Sequence, residues 1–346
     1  MVLRAILPAG ARVPREGEKV LNYVVRRVIY IVIVFFITSV IMFFLYNLSP
    51  VDPVQLYTEG MQYDMTPADF ERYKESLRKE MGLDQPLLVQ YVKWMARMLS
   101  GDFGRSLIHR VPVSELIKAP MANTLRLNAI TMLLVFMITI PLGITTAVKK
   151  GSLYDNTVQV FTILGISIPV FVTALATILV FAVLLQWLPV GGYNTPGFQG
   201  GGAAAFFDRV RHMVLPVFVM IITSLASLTR YIRATMIDAL RMDYIRTARA
   251  KGLSEKVVIY SHAFRNSLIP FVTVLVSWFI GLFGGSIMVE KIFSWNGMGL
   301  LMITSIQLFD YAVALTVGMF YIFIGLIGNL IIDLLYTVVD PRVRFQ

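Results

Sequence analysis

Residues 244–270, YIRTARAKGLSEKVVIYSHAFRNSLIP, form a basic polar stretch set between two long apolar runs. What flanks it decides the fold. The chain has 346 residues, 57% of them hydrophobic and 15% charged, with a mean hydropathy of +0.70. That is too apolar for an ordinary soluble domain of this length. An apolar segment needs about 20 residues to cross roughly 30 Å of hydrocarbon as a helix. Six runs meet that measure approximately: 28–48, 127–148, 157–188, 213–229, 267–289 and 311–332. The expected fold class is therefore an all-α polytopic membrane protein with six transmembrane helices.

Two runs carry prolines with different expected consequences. The third is long, and Pro169 in its middle predicts one tilted or kinked helix rather than two crossings. The fourth is short, and Pro216 suits a first helical turn.

Placement of Lys and Arg sets the orientation. Residues 1–27, 149–155, 230–266 and 337–346 carry 18 basic and 7 acidic side chains, whereas 49–126, 189–212 and 290–310 carry 13 of each. The net charge of +10 thus belongs to one face. Both termini and the 244–270 stretch are expected in the cytoplasm. Topology alone accounts for this asymmetry, so the basic balance gives no reason to invoke nucleic acid. Cysteine is absent, which excludes disulfides and thiolate metal sites. His109, His212 and His262 stand on separate segments and suggest no metal cluster. Arg26 and Arg27 precede a full-length span without a small-residue cleavage site after it, so a cleaved signal peptide is not expected.

The expected organisation is a tail over 1–24, a first transmembrane helix over 25–48, and an extracytoplasmic helical insertion over 49–122. A five-helix core then covers 123–340 with its polar loop at 232–266, followed by a tail at 341–346. Within the insertion, Thr66 fits an N-cap, Pro67 the first turn, Asp69 position N3 and Gly82 a stop. Phe70, Tyr73, Leu77 and Met81 share one helical face, and Leu87, Leu88, Tyr91, Met95 and Met98 a second. The Gly-rich stretch from Pro189 reads as an irregular outer loop.

The 244–270 stretch is expected to hold two short helices. The first covers 244–251 and is stopped by Gly252; the second is capped by Ser254 and runs toward Asn266. Tyr244, Thr247, Ala248 and Lys251 share a face, and the small Thr247 and Ala248 would let another surface approach closely. Two spans could be joined by a handful of residues. A polar loop of about 35, ordered and basic, instead reads as a docking element.

The same stretch resembles the EAA loop of the membrane subunits of ATP-binding-cassette importers. Aligned on Gly252, Ala248 and Gly252 match the general pattern, and RTARAKGL and HAFRNSLIP match the dipeptide and oligopeptide importer permeases more closely. MGLDQPLLVQYVKWMARMLSGDFGRSL from Met81, TLRLN, GISIPVF, VEKIFSWNGMG and DLLYTVVDPRVR extend the resemblance over nearly the whole chain. Asn296 departs from it where relatives often carry Pro, and so does FDYAVALTVG.

The resemblance implies a type I importer permease fold, in which Tyr244, Arg246, Thr247, Ala248, Lys251, Gly252 and Leu253 dock as a coupling helix on an ATPase. It implies a homologous second permease, two cytoplasmic ATPase subunits and an extracytoplasmic substrate-binding protein as partners. The implied location is a bacterial or archaeal inner membrane, multi-pass in the lipid bilayer. Peptides are the expected cargo, with oligosaccharides or a nickel complex as alternatives. No Gly-x-x-x-x-Gly-Lys-Ser/Thr occurs in the chain, so no ATPase site of its own and no cofactor are expected, and ATP and Mg would be bound by the partner ATPases.

Ionisable groups in or beside spans are expensive and therefore suspect. Glu290, Phe293, Asn329 and Asp333 are candidates for the pathway or a gate; Asp333 shares a helical stripe with Asn329 and Gly325. Structural roles at the membrane edge are the competing expectation for Glu290, Lys291, Arg126 and Asp333. Gly281, Gly284, Gly285, Gly318, Gly325 and Gly328 fit helix contacts or substrate passage equally. A secondary transporter would show coupling charges at midplane, which all six span centres lack. A membrane hydrolase would show a nucleophile or metal motif, and neither occurs.

Overall fold

A computed structural model describes residues 16–48, 51–59, 61–63 and 65–339. The C-terminal tail and most of the expected N-terminal one lie outside the described residues. Within them the chain is helical: α1 Glu16–Asn47, α2 Pro53–Thr58, α3 Pro67–Glu80, α4 Leu87–Leu99, α5 Val113–Leu116, α6 Lys118–Val148, α7 Leu153–Ser167, α8 Val170–Thr177, α9 Gly202–Leu240, α10 Asp243–Ala250, α11 Glu255–Val257, α12 Arg265–Gly281, α13 Ile287–Ile292, α14 Met298–Gln307 and α15 Tyr311–Val339. Two π-helical segments, Ile178–Leu184 and Val258–Phe264, continue α8 and join α11 to α12.

Four segments among the described residues are long and apolar enough to cross a membrane: Val24–Asn47, Val113–Val148, Gly202–Leu240 and Tyr311–Leu335. Counting the broken pair Leu153–Ser167 and Val170–Leu184 as one crossing makes five. That pair bends by 99°, far more than the single kinked helix expected over 157–188. Proline explains the difference. Pro169 disfavours α-helical backbone in the residue before it, and Ile168 is extended at φ −85°, ψ 122°, so α7 ends and α8 restarts in a new direction.

Pro216 also departs from expectation. It lies inside the 39-residue α9 rather than in a first turn. At 1.5 Å per residue α9 is about 58 Å long, so the apolar run at 213–229 is only its middle. The run at 267–289 is interrupted: α12 ends at Gly281 after 17 residues, about 26 Å, and the chain unwinds before α13.

Packing centres on α6 and α9, against which α7, α8, α12 and α13 are set. Val135, Ile144, Leu228, Ile232, Met236 and Phe271 form the largest buried cluster, where those helices meet. Arg233 on α9 grips the buried Asp155 of α7 through two hydrogen bonds of 2.7 Å. That pair holds the start of the broken crossing.

The insertion between α1 and α6 follows its sequence signals. Thr66 accepts a hydrogen bond from the Asp69 amide at 3.3 Å, Pro67 opens α3, and Gly82 takes φ +69° after it. Leu77 faces inward, with Phe70, Tyr73 and Met81 partly covered. On α4 the inward face is Tyr91, Trp94, Met95 and Met98; Leu87 and Leu88 point outward. The far end of the insertion is tied to the spans. Asp310, buried just before α15, accepts from Ser106 Oγ and from the Leu107 amide, and Val113 packs among Met298, Leu301, Val313 and Val317.

Candidate functional site

The polar stretch is built as a helix, a tight reversal and a second helix that never stops. α10 ends in a Schellman turn: the Gly252 amide donates to the Arg249 carbonyl at 2.9 Å and the Leu253 amide to the Ala248 carbonyl at 3.3 Å. Such a turn needs left-handed backbone at its C′ position, which glycine adopts without steric cost. Gly252 supplies it at φ +77°. Ser254 occupies the next N-cap position but makes no side-chain cap hydrogen bond. The second helix does not end near Asn266. It passes through the π-helical segment directly into α12, a core helix.

Burial divides the seven expected docking residues. Ile245 and Ala248 turn inward and join Met236, Ala239, Val258 and Ala263 in the largest cluster. Ala248 therefore faces this chain's own core, which corrects its expected place on an open contact face. The reason is helical geometry: positions 245 and 248, three residues apart, share the face that meets α9 and the π-helical segment. Tyr244, Arg246, Thr247, Lys251, Gly252 and Leu253 remain exposed. Arg249 spans the reversal and binds Glu255 through Nε at 2.7 Å and a second nitrogen at 3.3 Å. This contact holds the Glu255 carboxyl below its ordinary range and raises the Arg249 guanidinium.

The four pathway or gate candidates do not share one site. Glu290 is fully buried; its Oε1 accepts from the Thr124 hydroxyl at 2.8 Å and its Oε2 from the Leu300 amide at 2.9 Å. Thr124 in turn accepts from the Met298 amide at 2.8 Å. The carboxylate thus serves the N-terminus of α14, where free amides and the helix dipole favour an anion. Phe293 is buried with Ala174, Leu215, Val219 and Val289, and its carbonyl accepts from Gly192 at 2.7 Å. Neither residue lines an opening, because each is consumed by packing between helices. Asp333 forms an ion pair with Arg27, linking α15 to α1, and Asn329 is exposed one turn away.

A groove lies elsewhere. A cavity of about 440 Å³ with a largely apolar lining, Met132, Met220, Trp278 and Leu282 among it, also exposes Asn128, Thr131, Ser224 and Ser277, from α6, α9 and α12. Asn128 donates to the carbonyls of Gly281, Leu282 and Gly284 at 3.2, 3.0 and 2.9 Å. Those carbonyls lie where α12 unwinds; that of Gly281 also accepts from the Gly284 amide at 3.1 Å. Close contact fixes the other side of the break: a Cβ on Gly285 would lie 2.2 Å from the Gly299 nitrogen. Sequence reading singled out the glycines here and missed Asn128, Thr131, Ser224 and Ser277. The available signal was an amide side chain, in TLRLN, at the start of an apolar run. A larger cavity of about 860 Å³ separates the insertion from α1 and α15, lined by Tyr46, Tyr57, Trp94, Arg97, Arg110 and Tyr311 among others.

Comparison with known proteins places these features in a family. Residues 139–345, which include the α10 reversal and most of the groove, match the family described as binding-protein-dependent transport system inner membrane component. Residues 20–110 match its companion N-terminal family. The oligopeptide transport system permease protein AppB of Bacillus subtilis (strain 168) is 38% identical over 324 residues, covering 93% of this chain and 99% of that one. The glutathione transport system permease protein GsiC of Escherichia coli (strain K12) is 34% identical over 326 residues, covering 94% and 100%. Among solved structures, the MetNI methionine ABC transporter in an inward-facing conformation aligns with a TM-score of 0.47 and 16% identity, over 64% of this chain and 97% of that one. With the greater part of its length matched, this chain belongs to the family of binding-protein-dependent transport system inner membrane components.

Proposed function

We propose that the chain is the permease subunit of a peptide importer driven by separate ATPase subunits, and that α10 is the coupling helix through which their motion arrives. One observation carries this reading. The exposed Tyr244, Arg246, Thr247, Lys251 and Leu253 sit on a turn whose inner residues, Ile245 and Ala248, are seated against α9 and whose outgoing strand of chain is continuous with α12. A load on that turn would pass through the π-helical segment into α12, one of the helices bounding the groove. Movement of α12 against α6 and α9 would open the groove to one side of the membrane and then the other.

In this reading the groove around Asn128, Thr131, Ser224 and Ser277 is this subunit's half of the path, the other half coming from a homologous permease. Asn128, Thr131, Ser224 and Ser277 give the largely apolar groove a few polar groups that a peptide backbone would meet on the way through. ATP and Mg sit on the two partner ATPases, a substrate-binding protein delivers the peptide from outside, and α10 and both termini face the cytoplasm of an inner membrane. The names of AppB and GsiC support peptides as the cargo class.

The reading is tested by reconstituting the chain with its partner subunits in liposomes. Uptake of a labelled peptide should require ATP and the delivery protein, and should persist when ion gradients are collapsed. Uptake that follows an ion gradient and ignores ATP would overturn it.

A further inference from the structure

α4 offers two faces where one is expected. Its inner face packs on the first span: the Tyr91 hydroxyl lies 2.8 Å from Ser39 Oγ, and the Phe43 ring lies 5.3 Å from Trp94 and, edge to face, 5.5 Å from Tyr91. Its outer face is also apolar. Leu88, Val92 and Leu99 are 68%, 58% and 64% exposed and follow one another at helical spacing, with Val89 beside them.

Depth identifies what covers that stripe. The span Val24–Asn47 has 24 residues, about 36 Å, against roughly 30 Å of hydrocarbon. Ser39 lies eight residues, about 12 Å, from the Asn47 end. Even if all of the excess length protruded at that end, Ser39 would be about 6 Å inside the hydrocarbon. A helix whose tyrosine reaches that serine rests at the boundary of headgroups and acyl chains. Lys93 and Arg97 stand away from the stripe, on the side of α4 that lines the cavity between the insertion and the spans. Ile37, Ile41 and Leu45 are likewise exposed along about 12 Å of α1 on either side of Ser39.

We propose that α4 is an interfacial membrane helix: its Leu88–Val92–Leu99 stripe is immersed in the lipid leaflet at the Asn47 end of α1, anchoring the insertion to the bilayer surface. The partner is phospholipid, not another protein.

The absence of cysteine makes the test direct. Leu88→Cys, Val92→Cys and Leu99→Cys are spin-labelled singly in the complete transporter, with cysteine-free partners, in phospholipid nanodiscs. Glu71→Cys on the exposed side of α3 is the aqueous reference. Collision with oxygen should exceed collision with a water-soluble nickel chelate severalfold at 88, 92 and 99, and the order should reverse at 71. Free access of the chelate to all three stripe positions would overturn the proposal. Exclusion of both reagents, whether constant or appearing only when the delivery protein is added, would assign the stripe to a protein partner and overturn it equally.

Discussion

The Leu253 amide donates to the carbonyl of Ala248 across the end of α10, and the geometry of that bond depends on Gly252 lying between them at φ +77°. A Cβ at 252 would meet nothing within 4 Å, so any cost of substitution is backbone strain and not crowding. For an L-residue that strain is about 1–2 kcal/mol, less for Asn and more for a β-branched residue. Peptide uptake per ATP hydrolysed should therefore fall in the order Gly252→Asn, Gly252→Ala, Gly252→Val. Equal coupling in all three would show that the left-handed turn does not matter.

Ala248 and Leu253 should fail for different reasons. Ala248→Asp puts a carboxylate into the cluster of Met236, Ala239, Val258 and Ala263, where an unpaired charge is destabilising by several kcal/mol. It should lower the thermal midpoint of the purified permease. Leu253→Asp alters an exposed side chain and should leave that midpoint unchanged while weakening ATPase co-purification. If the two variants swapped these behaviours, the inward and outward assignments of α10 would be reversed.

The capping of α14 by Glu290 makes Glu290→Gln informative. One amide oxygen can replace one carboxylate oxygen, but the amide nitrogen would face either the Leu300 amide, a donor, or the Thr124 hydroxyl, whose proton then loses its acceptor. A buried donor left without an acceptor costs about 1–3 kcal/mol. The midpoint should drop, and Thr124→Val should add little further loss because the same network is already broken. Full additivity of the two changes would contradict the network.

Asp155→Asn removes the charge that Arg233 grips with two bonds. Breaking one partner of a buried pair costs about 3–5 kcal/mol, with Arg233 partly relieved by its own access to water. Proteolysis near residues 149–155 should rise in the variant, since α7 loses its anchor on α9. An unchanged digestion pattern would show the anchor to be dispensable.

The Arg249–Glu255 contact has a defined pH signature. Its cause is a hydrogen bond from Arg249 that holds the folded Glu255 carboxyl below its unfolded value of about 4.3. A depressed carboxyl stabilises the turn above that unfolded value and loses the contribution as pH falls through the folded one. The pair is therefore fully formed at neutral pH. Carbon-13 titration of Glu255 should show the depressed midpoint, and Arg249→Ala should return it toward about 4.3. No change on removing Arg249 would place the cause elsewhere.

Much of this was legible in the sequence where one local rule acts alone. Gly252, Thr66 and Gly82 mark helix ends because backbone handedness and capping are decided within a few residues. Apolar runs located the crossings approximately, yet hydropathy sees only lipid-facing composition. It could not show that α9 continues past the apolar run at both ends, nor that α12 unwinds at Gly281. Pro169 was visible, but the size of the bend depends on how α8 packs against α9 and α13. Glu290 and Asn128 were beyond reach of local rules: the partners of Glu290 lie 10 and 166 residues away, and those of Asn128 at least 153. A buried carboxylate that caps a helix and one that lines a path look the same until those partners are placed.

The central claim is that α10 passes the work of separate ATPases to the groove. It is tested most directly by peptide uptake into liposomes carrying the assembled transporter with Leu253→Asp. Uptake should collapse while the delivery protein still binds and the permease keeps its thermal midpoint. Uptake at the unmodified rate would contradict the account.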